Sequence, residues 1–345
     1  VLHRAAIGFP GHGPTDPRRT RLRSRRDPLG LVARWLARAA AAVTVGVAAA
    51  ARADAPPPLV VDQIAPGVYV HTGAVAAWGA AGASDVANVG FVVGERCVAV
   101  IDSGGGVGVG RRLRAAVERT TPLPICAVVN THAHPDHVLG NAAFVDAPGG
   151  SPPAIVAHAA LPKALAERER HYLNALQRDF GVAAGPGTVV YPTRTIDAPT
   201  ELDLGNRVLV LKPWPTAHTN NDLTVYDRTT RTLFTGDLLF VRHMPVVDGN
   251  LRGWVAALDE LRRLDVARVV PGHGAPGTDL AAMIAPQAAY LEALLRETRA
   301  AVKAGVPIQR AVDEVGRDIA KPWALAELFH RRNVTAAYAE LEWED

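Results

Sequence analysis

The chain has 345 residues, 48% hydrophobic and 21% charged, a balance that excludes a disordered chain, a collagen and a disulfide miniprotein. Its net charge of +3 is unevenly spread: residues 1–53 hold 10 Arg and 2 Asp, leaving 27 basic and 32 acidic residues in the remainder. The body therefore offers no basic footprint for nucleic acid.

The N-terminal stretch has the order of a secretory signal. A basic run from Arg18 to Arg26 precedes an Ala/Val/Leu segment, Leu31 to Ala51, interrupted by Arg34 and Arg38. Ala51-Arg52-Ala53 then offers small residues to a signal peptidase, followed by Asp54 and Pro56-Pro57-Pro58. Residues 1–53 are expected to be a leader and the chain exported, to a periplasm. Ser24-Arg25-Arg26 hints at the twin-arginine route, which Asp27 and Pro28 fit poorly. The uninterrupted apolar run Ala39–Ala51 is too short for a retained membrane helix, and no membrane span is expected in the mature chain.

From Leu59 onward, short Val/Ile/Leu runs end in Gly, Asn, Asp or His, which predicts strands. They are Gly67–His71, Gly90–Val93, Cys97–Asp102, Ile125–Asn130, Ala154–Ala157, Arg207–Lys212, Leu223–Tyr226, Thr232–Thr235 and Ala267–Val270. Helices are predicted over Gly110–Arg119, Leu161–Phe180 and Leu251–Leu264, giving an α/β body. After His273 the apolar spacing becomes helical, with Pro286 expected to kink or delay the first helix. Ile308–Val315 and Ala324–Leu341 read as two more, so residues 277–345 form a helical C-terminal extension. Cys97 and Cys126, each at the start of an apolar run, read as buried free thiols.

The chemistry concentrates in Thr131-His132-Ala133-His134-Pro135-Asp136-His137, which follows the strand Ala127-Val128-Val129-Asn130. Residues two apart in an extended segment face the same way, so His132 and His134 share a pocket. Pro135 then starts a helix that carries Asp136 and His137. Three distant apolar runs end similarly, at Thr216-Ala217-His218, Thr235-Gly236-Asp237 and Pro271-Gly272-His273. Imidazoles and carboxylates without thiolates suit zinc and similar divalent ions. Two such ions sharing one water would generate hydroxide near neutral pH, with the two-oxygen carboxylate of Asp237 as their natural bridge.

Other features carry less. Gly104, Gly105, Gly106, Gly108 and Gly110 open a helix but miss the Gly-x-Gly-x-x-Gly spacing of a dinucleotide loop. His71, His158, His171, His243 and His330 read as structural, with His158 and His243 nearest in prospect to the site. Trp78 belongs to a flap over the metals or to a loose hairpin.

On these motifs the chain resembles the metallo-β-lactamase superfamily over about Leu59–Pro276, through Asp102 in Ile-Asp-Ser-Gly, His132–His137, His218, Asp237 and His273. The resemblance implies a four-layer αβ/βα sandwich over residues 59–276. It implies two zinc ions per chain, one on His132, His134 and His218 and one on Asp136, His137 and His273, bridged by Asp237. Asp102 would orient a ligand or the motif loop, and Asp136 would accept or relay a proton. The Asp at 237 is more like glyoxalase II-like thioesterases than zinc β-lactamases, though the C-terminal helices lack a basic glutathione-binding set. Asp237–Trp254, Arg331-Arg332-Asn333-Val334 and the stretch from Tyr338 to Glu342 are similar to exported zinc metallohydrolases associated with quinoprotein dehydrogenases, which implies such a partner. The expected activity is metal-dependent hydrolysis of a small thioester, ester or lactone. A periplasmic β-lactamase and a non-catalytic metal-holding accessory protein are the alternatives.

Overall fold

Two sheets face each other across an apolar interior in the computed structural model, which describes residues 57–145, 151–185 and 187–344. The leader expected over residues 1–53 lies outside the described residues. The first sheet has the order β1 (Asp62–Ala65), β2 (Val68–His71), β3 (Val89–Val93), β4 (Val98–Ile101), β5 (Ile125–Val129), β6 (Ala154–His158) and β7 (Arg194–Ile196). Strands β1 to β4 pair antiparallel, and β4 to β7 run parallel. The second sheet contains β8 (Thr200–Asp203), β9 (Val208–Pro213), β10 (Leu223–Asp227), β11 (Thr232–Phe240) and β12 (Arg268–His273) in the order β12-β11-β10-β9-β8. It is antiparallel except for the parallel pair β11–β12.

The helices are α1 (Val107–Thr120), α2 (Pro135–Val138), α3 (Ala142–Val145), α4 (Leu161–Phe180), α5 (Leu251–Leu261), α6 (Leu280–Lys303), α7 (Ile308–Glu314), α8 (Arg317–Ala320) and α9 (Ala326–Leu341). Between the sheets, Val70, Val92, Ala99 and Val129 meet Leu209, Leu211, Val225 and Phe234. Outside the first sheet, Leu113, Ala116 and Val117 of α1 cover Val98, Val100 and Val128. Outside the second, Trp254 and Leu258 of α5 join Leu291 and Leu294 of α6 and Val334 of α9 around Leu233, Leu238 and Phe240. Each large aliphatic or aromatic side chain so buried contributes about 1.5–3 kcal/mol. The result is the expected four-layer αβ/βα sandwich with C-terminal helices packed on one outer face.

Three sequence expectations change. Cys97 and Cys126 are disulfide-bonded rather than free: β4 and β5 are neighbours, which brings their Cα atoms to 5.7 Å despite a separation of 29 residues. Helix α6 runs through Pro286, capped at its start by the Asp279 side chain on Ala282 N and held by the buried stripe Ile284, Gln287, Ala288 and Leu291. Strand β11 continues to Phe240, buried along its whole length because sheet and helices cover both faces. None of the described helices is long and apolar enough to cross a membrane.

Candidate metal centre

The strands that matter deliver their residues to one rim. Asp102 follows β4, the His132–His137 segment follows β5, His218 follows β9, Asp237 sits within β11, and His273 ends β12. Two glycines permit the close approach. Gly236 has φ +52°, and a Cβ there would lie 2.6 Å from the Thr131 Cβ; a Cβ on Gly272 would lie 1.8 Å from Asp237 Oδ1.

The structure brings His132, His134, His218 and Asp237 together, with one donor atom of each lying within 4.8 Å of the others, and does the same for Asp136, His137 and His273. Asp237 joins the groups: Oδ2 is 3.6 Å from His132 Nε2, 3.5 Å from His218 Nε2 and 3.4 Å from His273 Nε2, while Oδ1 is 3.1 Å from His137 Nε2. Asp136 Oδ2 lies 3.3 Å from His273 Nε2.

The far nitrogen of every imidazole is committed elsewhere, which fixes the tautomer of each ring. His137 Nδ1 donates to Asp102 Oδ2 at 2.7 Å, His218 Nδ1 to Val246 O at 2.8 Å and His273 Nδ1 to Val86 O at 3.0 Å. His134 Nε2 donates to Asp248 Oδ2 at 2.9 Å. The Thr131 hydroxyl donates to Asp102 Oδ2, so its oxygen accepts from His132 Nδ1 at 3.1 Å. Asp102, at φ +57°, also accepts Thr131 N, and so orients both a ring and the motif loop.

On His132, His134 and His218 the inward nitrogens are thereby left with lone pairs. Those of His218 Nε2 and His134 Nδ1 face each other 3.0 Å apart, an arrangement that needs a cation or a shared proton between them. His132 Nε2, His137 Nε2 and Asp237 Oδ1 are buried without an aligned hydrogen-bond partner. Buried polar atoms are costly to leave unpaired, so this donor set fits divalent metal.

The local charges differ from ring to ring. Burial drives His218 down to about 3, and burial together with the neighbouring His137 drives His132 well below the usual range. Burial also opposes charge on His273, but Asp237 and Asp136 outweigh it and push that ring up to about 9. Asp237 is held well below the usual carboxylate range against burial, by His273, His137 and His132. This buried carboxylate is stabilised by positive charge around it.

Above the donors lies a cavity of about 190 Å³, walled by Ala76, Ala77, Trp78, Phe240, Val246 and Phe329 and lined also by Arg332. Trp78 is a fixed wall: its indole donates to Gly105 O and its ring packs near Tyr172 and Phe180. His243 reaches this cavity, its ring 4.7 Å from that of His273. His71, His158 and His330 instead bond to Asp85, Ala160 N and Val315 O. Phe240 stacks on His273, and Trp254 lies 5.1 Å from His218, ring to ring. A larger apolar groove of about 730 Å³ beyond Phe240 contains none of the seven donor residues.

Sequence reasoning missed Asp248, Arg168 and Asn88. Arg168 Nη2 forms an ion pair with Asp248 Oδ2 at 2.7 Å, while Asn88 Nδ2 donates to Pro271 O and Gly274 O and so braces the strand end carrying His273. Asp248 lies within the Asp237–Trp254 stretch, but only folding brings it beside His134.

The family model of the metallo-beta-lactamase superfamily matches residues 84–273. A linear primary-alkylsulfatase from Pseudomonas sp. (strain ATCC 19151) is 25% identical over 209 residues, covering 51% of this chain and 39% of its own length. The chain thus spans about two fifths of that curated relative. Among solved structures, a metallo-beta-lactamase from Pontibacter korlensis superposes with TM-score 0.55 at 22% identity, over 68% of this chain and 99% of that one. A stereoselective inverting sec-alkylsulfatase from Pseudomonas sp. gives TM-score 0.61 at 17% identity, over 81% of this chain and 50% of that one.

Proposed function

The chain belongs to the metallo-beta-lactamase superfamily of hydrolases, and from that premise we propose that it is a binuclear zinc-dependent hydrolase of small thioesters, esters or lactones. The observation that carries this reading is the set of buried inward atoms of His132, His137 and Asp237 that lack partners. His132, His134 and His218 would hold one ion, Asp136, His137 and His273 the other, with Asp237 shared between the groups. Bound there, divalent cations lower the pKa of a water and polarise a carbonyl oxygen. The protein's own contribution is orientation. Asp102, Val246, Val86 and Asp248 fix the imidazoles, and Trp78, Phe240 and Phe329 narrow the approach. The Asp136 carboxylate lines the cavity and is placed to hold a proton near the reacting group. A space of about 190 Å³ suits a small substrate.

Alkyl sulfate hydrolysis is the second reading, supported by the alkylsulfatase relative and by the apolar walls of the cavity. Export, and association with a quinoprotein dehydrogenase, remain part of the proposal. The leader pattern supports export, and so does the disulfide, since such bonds persist in oxidising compartments.

Metal analysis joined to a panel of a thioester, a lactone, a β-lactam and a primary alkyl sulfate tests the function. Two zinc ions per chain and preferred turnover of the thioester or lactone are expected. His134→Ala and Asp237→Asn should each lose metal and turnover; full metal and activity in both variants would sink the reading.

A further inference from the structure

Helix α9 belongs to the C-terminal extension, yet Arg332 on it lines the same cavity as His134, Asp136, Asp237 and His273. Its Nη2 donates to Asp248 Oδ1 at 3.1 Å. The other oxygen of Asp248 already takes His134 Nε2 at 2.9 Å and Arg168 Nη2 at 2.7 Å. Arg168 thus pairs with Asp248 by the shorter contact, and Arg332 adds a second positive charge to a single carboxylate. The cluster of Arg168, Arg332 and Asp248 carries a net charge of about +1 at neutral pH.

Arg332 keeps donors in reserve. A guanidinium has five N–H groups in a planar fork. Nε and Nη1 of Arg332 have no partner among the described residues, and its side chain is 53% exposed. Among the described residues lining the cavity, it is the one with a permanent positive charge. The cavity it shares has apolar walls in Trp78, Val246 and Phe329, and its carboxylates, Asp136 and Asp237, belong to the donor set. An exposed guanidinium with N–H groups still free, beside apolar walls, matches a carboxylate at the end of a short apolar body.

We infer that the extension supplies a substrate-anion receptor: Arg332, steadied by Asp248, binds a carboxylate carried by the acyl substrate away from its reacting carbonyl. This deepens the hydrolase reading and rests on it for the chemistry. A sulfate monoester would carry its charge at the reacting end and so leave this receptor unused.

The test uses the zinc-loaded full chain with monophenyl glutarate, which bears a free carboxylate, and its neutral methyl ester. Wild type should prefer the anionic ester, and Arg332→Ala should reduce that preference about ten-fold, chiefly through KM. Arg332→Lys should recover part of it. Unchanged preference in Arg332→Ala would overturn the inference, since a merely structural arginine would affect both esters alike. A second readout needs no turnover: calorimetric titration of 4-phenylbutyrate and of 4-phenylbutan-1-ol into the metal-stripped full chain. Tighter binding of the acid, lost in Arg332→Ala, supports the receptor; equal behaviour of acid and alcohol contradicts it. If neither ester is hydrolysed, the hydrolase reading fails while calorimetry still decides the anion site.

Discussion

Arg207 and Asp227 show how a single pair of side chains can tie this molecule together. The guanidinium meets the buried Asp227 carboxylate through two bonds, of 3.1 and 2.6 Å, and its Nη1 reaches Val93 O, across to the first sheet. Burial opposes the charge on Asp227, but Arg207 and the Thr230 hydroxyl outweigh it and hold the carboxyl below its usual range. A depressed folded pKa stabilises the protein above the unfolded value near 3.8, and this contribution is lost as pH falls through the folded value. Asp227→Ala strands the Arg207 charge and is expected to cost about 3–5 kcal/mol in urea unfolding at pH 7. The penalty should shrink on acidification, because protonated Asp227 in the parent also loses the pair. The chemistry-bearing residues were legible at this scale because each stands at the exit of an apolar run. Asp248 was not: it occupies an irregular segment, and its role comes from facing His134 and two arginines.

Among the elements, strands with Val- and Ile-rich cores were readable, while β1, β7 and β8 were not. Those three are short, and Asp62-Gln63-Ile64-Ala65, Arg194-Thr195-Ile196 and Thr200-Glu201-Leu202-Asp203 present mostly exposed or half-buried residues. At sheet margins, backbone pairing defines a strand that composition does not announce. The disulfide was hidden for a related reason, since nothing local to Cys97 says that β5 will lie beside β4. Closing a loop with a separation of 29 residues restricts the unfolded chain by about 3–4 kcal/mol. Cys126→Ser, or reduction of the parent, should therefore lower the urea midpoint; equal midpoints with and without reductant would show the bond unformed.

For the molecule as a whole, the C-terminal helices serve the rim as well as the core. Asn333 on α9 donates to Pro245 O and Tyr290 Oη and accepts from Val247 N, all in the interior. It thereby braces the segment whose Val246 carbonyl holds His218 and whose Asp248 holds His134. Asn333→Ala leaves the Val247 N–H buried and unpaired, at about 1–3 kcal/mol. It should also weaken divalent-metal binding by about 10-fold or more, measured by competition with a chelator. Unchanged metal affinity would separate the extension from the site. Helical spacing revealed that these helices exist; it could not reveal which strand exits they would touch, because that depends on the docked arrangement.

The seating of Trp254 against His218 has a practical side. An indole packed against an imidazole whose electrical surroundings change is a natural optical probe. The chain's ultraviolet emission should shift when an ion binds, and Trp254→Phe should remove the part of that shift linked to His218, leaving the part from Trp78, which walls the cavity. Loading of the centre can then be followed by light, before any substrate is known.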